Sequence, residues 1–585
     1  MQEMEHGYET YPWDRYDPGP VGWTLRGGQP AANARVLQLL TQHPVVRTLS
    51  VKGASESEAA DIGKQLAEYA ALQGLALAGT TPAAACGVLR HAVGMANVTR
   101  LNLHGCTSAR NRVDVPWQTL AEQRALAPLL PQLPKLAELV FYGETPGFHA
   151  GMTATDDTME TIGGSLAKLS ALTCLRIIHV HSTRYSAAGG RGGRGGLPLL
   201  HYIAKLPALR TLHVYDVNME KPAHVRALTA PLAAMTRLTH LAAELICLTP
   251  EAPAVVHAIA ALPQLTAFQT HLLGHSMTEC WPDEDNEMCR ALGKLLSSNE
   301  TLTRLDVSWN LQADLGRLRL VLPARSATLR HVSVRGSPIL EPPQASNILA
   351  CMHKLPHVTC LDLAEHAVPH AQLCKLFGAP LRAHAAAGAL TNLQALYLSG
   401  RARDTDRNTM WVPDGNPAAA PLGDSLGGLR SLTLLDLGRT SLGCDAAAAI
   451  VQSLAALPKF AAIFLDRNSL HLGSAAALAE AMLSAHKLRS VVLSRNAFSA
   501  DKVVQMGAYL KQMTQLTALH LRSCDLRRAD GVAATLGSLR SLRYLDLRNN
   551  GFDEAGILAL RAAVTALTAL TRVRLSPQQA APWLD

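Results

Sequence analysis

The sequence predicts an α/β solenoid, with short parallel strands stacked on one side and helices on the other. Three observations predict it. Segments with apolar residues at positions 1, 4 and 6 begin at Leu432, Phe460, Leu488, Leu516, Leu542 and Leu570, with intervals of 28, 28, 28, 26 and 28 residues. A nearly constant period of this size marks stacked repeats. Between the segments lie Ala- and Leu-rich stretches with helical spacing of their apolar residues. Finally, 48% of the 585 residues are hydrophobic but only 4% aromatic, which suits a thin core of Leu and Ala.

Residues 1–44 stand outside the period. They carry Tyr8, Tyr11, Trp13, Tyr16 and Trp23 among Gly and Pro. They lack the basic-then-apolar order of a secretory signal and the composition of a transit peptide. The expectation is an N-terminal cap that folds its aromatics over the first repeat; a partner-binding peptide and disorder are the rivals.

Residues 45–577 hold about 18 repeats, and 578–585 form a tail. The first strands fall at 46–51, 72–77 and 98–103, 26 residues apart. Starts at Leu136, Leu172 and Leu209 then stretch the period to 38, 36 and 37 residues, so roughly ten extra residues per repeat must leave the stack as loops. Such insertions include 107–123, 143–157, 181–196 and 275–287. Later strands begin at Leu238, Leu265, Leu302, Leu329, Val358 and Leu393.

Within a repeat, strand alternation sends Leu545 and Leu547 inward and Tyr544, Asp546 and Arg548 onto the open face. Position 9 is often Asn, whose side chain can both donate and accept at a buried turn. Asn310, Asn468, Asn496 and Asn550 suit this role; Cys106 and Cys524 take the same slot as small apolar residues. A helix follows, as over 553–567, where Leu560, Val564 and Leu567 share a face and Asp553 is placed to cap. One strand and one helix cannot bury their own apolar faces, but stacked neighbours can.

The pattern LxxLxLxxNxL followed by an Ala/Leu-rich helix, every 26–29 residues, is similar to the ribonuclease-inhibitor-like class of leucine-rich repeat proteins. The likeness runs over nearly the whole chain and is closest at 302–310 and 432–575. It implies a leucine-rich repeat solenoid, a horseshoe with parallel strands on its concave face and helices on its convex face. Relatives of this kind bind other proteins, so it also implies a scaffold or adaptor.

Other chemistries find little support. No run of about 18 apolar residues exists, so no transmembrane helix is expected. The eleven cysteines are scattered without a CxxC pair, which points to reduced thiols in a cytoplasmic compartment. Cys280 and Cys289 near His271 and His275 lack the tight pairing of a zinc site. His213, His240, His271 and His331 fall at outward strand positions, where pH-sensitive binding competes with a plain polar surface. The string GGRGGRGG at 189–196 resembles a short RNA-contacting segment but is better read as a flexible insertion. No phosphate-cradling GxxxxGK[ST] and no HExxH occurs, so no catalytic residue, cofactor or metal is expected.

Charge is the one uneven surface signal. Residues 430–585 hold 18 Lys and Arg against 11 Asp and Glu, net +7 of the chain's +8. Arg439, Arg467 and Arg495 occupy position 8 of three successive repeats. Arg522 and Arg548 occupy position 7 of the next two, and Arg572 and Arg574 flank the last strand. Stacked at about 5 Å, they would form an arginine ladder on the concave face. Asp436, Asp466 and Asp546 would offset it in part. The expectation is a docking strip for an acidic protein, formed by these residues with Tyr544. A self-paired solvated rim is the bland rival. Arg outnumbers Lys 41 to 13, a bias that a GC-rich coding sequence would also produce. The leading function is therefore a non-enzymatic interaction scaffold. The alternatives are a GTPase-activating regulator resembling Ran-activating leucine-rich repeat proteins, and RNA contact through the Gly–Arg loop. Membrane binding is not expected, and a net +8 on 585 residues is mild for nucleic acid.

Overall fold

The structure, a computed structural model, describes residues 23–29, 33, 47–78, 80, 82–104, 125–142, 156–178, 197–219, 222–247, 251, 253–273, 287–308, 328–336, 356–365, 381–383, 390–400, 419–470, 473–496, 500–527 and 529–575. The aromatic residues before Trp23, most of the inserted loops, Cys106, Asn310, Gly189–Gly196 and the tail lie outside them. The chain forms two compact units, Met1–Pro282 and Asp283–Asp585.

The first unit carries strands β1 (Trp23–Arg26), β2 (Thr48–Lys52), β3 (Gly74–Ala78), β4 (Arg100–His104), β5 (Glu138–Tyr142), β6 (Cys174–Ile178), β7 (Thr211–Met219), β8 (His240–Cys247) and β9 (Ala267–Leu273). Each pairs in parallel with the next in chain order. Helices alternate with the strands: α1 (Glu56–Ala67), α2 (Pro82–Leu89), α3 (Asp156–Leu166), α4 (Leu197–Ile203), α5 (Pro222–Ala234) and α6 (Pro253–Ala260). β1 lies within the stretch expected to stand outside the repeat, yet it pairs in register, Leu25 opposite Val51, and Leu25 is fully buried. α1 starts on a capping box in which Ser55 and Glu58 satisfy each other's backbone amides.

The second unit repeats the design more tightly. Its strands are β10 (Arg304–Asp306), β11 (His331–Ser333), β12 (Cys360–Asp362), β13 (Ala395–Tyr397), β14 (Leu434–Asp436), β15 (Ala462–Phe464), β16 (Ser490–Val492), β17 (Ala518–His520), β18 (Tyr544–Asp546) and β19 (Arg572–Arg574), again parallel and sequential. Its helices include α7 (Glu287–Ser298), α8 (Ala419–Leu426), α9 (Cys444–Leu454), α10 (Ala475–Ser484), α11 (Ala500–Leu510), α12 (Ala529–Gly537) and α13 (Glu554–Thr565). Parallel strands joined by helices in unbroken chain order make each unit an α/β solenoid.

Register explains the core. Leu305, Val332, Leu361, Leu396, Leu435, Ile463, Val491, Leu519 and Leu545 face one another across successive strands, and each is at most 2% exposed. Burying each such side chain contributes about 2 kcal/mol by transfer alone. The row ends at Val573, which is only half-buried because no strand follows β19 among the described residues.

The position-9 Asn residues build the turns as expected. Asn468 Nδ2 donates to the Leu437 carbonyl at 2.8 Å, and its Oδ1 accepts from the Thr440 and Leu442 amides at 3.0 Å. Asn496 Oδ1 accepts from the Asn468 amide at 2.7 Å, and its Nδ2 donates to the Leu465 and Leu493 carbonyls. Asn550 Oδ1 accepts from the Cys524 amide and its Nδ2 donates to the Leu521 and Leu547 carbonyls. Cys524 fills the same slot, fully buried, its Sγ donating to the Leu493 carbonyl at 3.3 Å. β7, β8 and β9, whose repeats have Val217, Ile246 and Leu273 at position 9, run to nine, eight and seven residues, against three in β14–β19. Asp553 caps α13, accepting from the Gly556 amide at 2.7 Å.

Candidate docking surface

The outward row of the second unit's strands reads Asp306, Ser333, Asp362, Tyr397, Asp436, Phe464, Val492, His520, Asp546 and Arg574, in mutual register. Beyond it, position 8 of each repeat turns the chain. Glu365, Arg439, Arg467, Arg495, Ser523 and Asn549 all have left-handed backbone there, with φ between 52° and 59°. Their amides close the turn on the next repeat: Arg439 donates to the Asp466 carbonyl, Arg467 to Ser494 and Arg495 to Arg522, at 2.8, 2.9 and 2.7 Å. Gly and Asn adopt this conformation with the least strain. Asn549 follows that preference; the three arginines do not.

The expected ladder is present as a sequence of positions, but its members differ in environment. The Arg439 side chain is only 9% exposed, and its Nη1 pairs with Glu365 Oε1 at 3.1 Å. Glu365 Oε1 also accepts from Arg335 Nη2 at 3.1 Å, and Arg335 lies 3.9 Å from Asp362. Gly400 occupies position 8 in the repeat between Glu365 and Arg439, and a Cβ there would collide with the Arg439 carbonyl oxygen. The chain of charges Arg335–Glu365–Arg439 is thus internally matched. Arg467, Arg495, Arg522, Arg548 and Arg574 are half-buried, and Arg572 is exposed. Arg548 forks onto its own strand's Asp546, Nε to Oδ1 at 2.9 Å and Nη2 to Oδ2 at 2.6 Å.

The acidic members and the tyrosine do not lie open to solvent as expected. Asp436, Asp466, Asp546 and Tyr544 are 0%, 5%, 3% and 9% exposed. The reason is local: Asp436 Oδ1 folds back to accept from the Gly438 amide at 2.9 Å, and Asp546 is held by Arg548. Burial raises the Asp436 carboxyl well above its ordinary range, and the neighbouring Asp466 charge adds to it. Burial likewise pushes Asp466 up to about 6, against the pull of Arg439 and Arg495. Asp466 Oδ1 is buried without a hydrogen-bond partner. Gly438 separates the two acids; a Cβ on it would sit 2.8 Å from Asp466 Oδ1 and 3.3 Å from Asp436 Oδ1. For Asp546, burial would raise the carboxyl, but the Arg548 hydrogen bonds and charge outweigh it and hold it below its ordinary value. At the far end of the row, burial pushes Asp306 up to about 7 although Ser308 donates to it.

His331 and His520 are not switches near neutral pH. Burial lowers His331 to about 3, aided by Arg304, and His520 to about 4 despite Asp546. His520 is instead a neutral ring stacked on Tyr544, centroids 4.7 Å apart. Glu365, Gly400 and His520 belong to this surface without standing out in the repeat pattern. Opposite charges at position 8 two repeats apart, with Gly between, were the available signal. Against the expectation that no GxSxG occurs, the chain holds one, Gly423-Asp424-Ser425-Leu426-Gly427. A nucleophile in such a string needs an exposed strand-to-helix elbow. Ser425 is 1% exposed inside α8, so the string has no such role. Among the described residues, no group of three or more His, Cys, Asp or Glu could hold a metal ion. No helix there is long and apolar enough to cross a membrane.

A leucine-rich repeat family model matches residues 538–560, the stretch that contains β18 and its Asn550 turn. No curated protein matches the chain. Among solved structures, it is similar to that of a TLR13–ssRNA13 complex, with 14% identity, a TM-score of 0.38, and 94% of this chain and 75% of that one covered. It is also similar to the leucine-rich-repeat-containing protein LegL7 from Legionella pneumophila, with 16% identity, a TM-score of 0.34, and 63% and 93% covered. In fold, the chain is an α/β leucine-rich repeat solenoid.

Proposed function

We propose that this protein is a non-enzymatic interaction scaffold of the ribonuclease-inhibitor-like kind, and that the C-terminal strand face docks an acidic protein. One observation carries the reading: three successive repeats hold Arg in left-handed turns, at φ 55°, 52° and 59°. A left-handed L-residue costs about 1–2 kcal/mol relative to the right-handed form, and recurrent local strain points to function. A coding bias toward Arg explains an abundance of Arg; it does not explain Arg at the three positions where Asn fits better. Arg439 pairs with Glu365 and belongs to the framework; the proposed contacts are Arg467, Arg495, Arg522, Arg572 and Arg574, with Arg548 steered by Asp546. A reducing, cytoplasmic setting accords with the Cys444 and Cys524 thiols, buried and pushed up to about 12 by that burial.

The test compares protein captured from native lysate by the wild-type chain and by a chain carrying Arg467→Asn, Arg495→Asn and Arg522→Asn. Asn keeps the left-handed turns at positions 467 and 495, where φ is 52° and 59°, and removes the charge at all three. A protein captured by the first and lost by the second, with the circular dichroism of both unchanged, supports the docking strip. Identical capture sinks it.

A further inference from the structure

Two carboxyl groups on the outer face of β14 and β15 converge over a residue that has no side chain. Asp436 ends β14, Gly438 follows two residues later, and Asp466 takes Gly438's place in the next repeat. A Cβ on Gly438 would stand 2.8 Å from Asp466 Oδ1 and 3.3 Å from Asp436 Oδ1. One oxygen of each acid is therefore aimed at the same methyl-sized space. Asp436 is fully buried, and its Oδ1 accepts from the Gly438 amide at 2.9 Å. Asp466 is 5% exposed, and its Oδ1 has no donor.

An ionised Asp466 would turn a buried, unbonded oxygen toward a second carboxylate. Both the missing hydrogen bond and the like charge disfavour that state. The groups facing the pair do not supply the donor. Arg439 and Arg495 act on Asp466 by charge, as does Glu365 in the opposite sense, and Arg439 also faces Asp436. Arg439 Nη1 is bonded to Glu365. Tyr397 on β13 and Phe464 on β15 stand opposite Asp436 in register.

A cation or a proton could satisfy converging carboxylates. Two guanidinium groups already face Asp466 and would repel a further cation. Among the described residues, no third His, Cys, Asp or Glu completes a metal site there. A proton needs no cavity, and it makes one carboxyl a donor to the other.

We propose that Asp436 and Asp466 hold one proton between them across Gly438 at neutral pH, as a coupled pair and not as two separately buried acids. Burial raises both carboxyls, in the direction this requires. The pair then carries one negative charge beneath the Arg439 and Arg495 turns. It takes a second proton from solvent in mild acid and becomes neutral; it releases the shared proton at higher pH and becomes doubly negative. The charge under these turns is thus set by pH, whether or not the face docks a protein.

Infrared spectroscopy of the full chain at pH 7.5 tests this in the C=O stretching region of protonated carboxyls, where ionised acids do not absorb. Asp306→Asn is the background, because burial pushes that carboxyl up to about 7 and it would contribute. The background chain is expected to show the band. Its absence overturns the proposal, whether the gap then holds a cation or nothing. Asp466→Asn and Asp436→Asn, added singly, each place an amide donor where the proton stood, and each is expected to abolish the band. A band that survives Asp466→Asn puts the proton on Asp436 alone and overturns the sharing; one that survives Asp436→Asn does the same from the other side. Asp466→Ser repeats the decisive comparison if the asparagine variant fails to fold, since serine stands at this position in the repeats of Ser308, Ser399 and Ser494. Loss of the band there supports the shared proton, and survival overturns it.

Discussion

Arg439 reaches across an entire repeat to Glu365, Nη1 to Oε1 at 3.1 Å, over the bare backbone of Gly400. The carboxylate that receives it also receives Arg335. Three buried charges, from three repeats and two residues outside the arginine series, therefore form one element of the framework. Removing the shared carboxylate takes the Glu365 contact from two buried guanidinium groups, leaving Arg335 with Asp362 3.9 Å away. Glu365→Gln is expected to destabilise the second unit by about 3–5 kcal/mol, the scale of breaking a buried pair. Urea unfolding monitored by circular dichroism checks it; a loss under about 1 kcal/mol would mean that water or another group replaces the carboxylate readily.

Gly400 is the permissive half of the same device. Gly400→Ala places a methyl group on the Arg439 carbonyl oxygen, and the turn must shift to admit it. The expected cost is about 1–3 kcal/mol, as for overpacking elsewhere. In a double variant with Glu365→Gln the two losses should add to less than their sum, because both act on the placement of Arg439. Strict additivity, measured by the same unfolding series, would show that Gly400 serves only its own turn.

Buried Asp466 makes stability depend on pH in an unusual direction. Its folded-state carboxyl is raised to about 6 from an ordinary value near 3.8. The folded chain therefore holds the proton more tightly than the unfolded one. This contribution is fully present below the unfolded value and is lost as pH rises through about 6. Asp436, Glu365, Arg439 and Arg495 face it and set how steep the loss is. Asp546, held low by Arg548, contributes in the opposite sense and loses its part as pH falls through the acid range. Asp466→Asn should be relatively more stable than wild type at pH 7.5 than at pH 4.5. A difference in melting temperature that does not change between those two pH values would refute it.

The repeat was legible in the sequence because a strand needs only Leu at fixed intervals and a turn only an Asn. Leu545, Asn468, Asn496 and Asn550 sit where periodicity puts them. The arginine series was legible as a series. Its chemistry was not, because periodicity assigns a position and says nothing about which side chain reaches which neighbour. Nothing in the period marks that Arg439 turns back two repeats to Glu365, that Asp436 folds onto its own Gly438, or that His520 leans on Tyr544. The buried acids were misread as open for the same reason: strand alternation distinguishes core from outer face, and outer face is not the same as solvent.

Coupling between neighbours predicts how damage spreads through the second unit. Leu545 is fully buried between Leu519 and Val573 in the inward row. Leu545→Asp puts a carboxylate there without a partner, at a cost of several kcal/mol. In a solenoid each repeat touches only its neighbours, so β17 to β19 should open while β10 to β13 keep their pairing. Hydrogen exchange reads this directly. The amides of Leu519 and Leu547 should lose protection by orders of magnitude, and those of His331 and Cys360, bonded to the Thr303 and Arg330 carbonyls, should keep theirs. Equal loss at both ends would mean that the second unit folds as one cooperative block, and that its repeats are bound together by more than nearest-neighbour contacts.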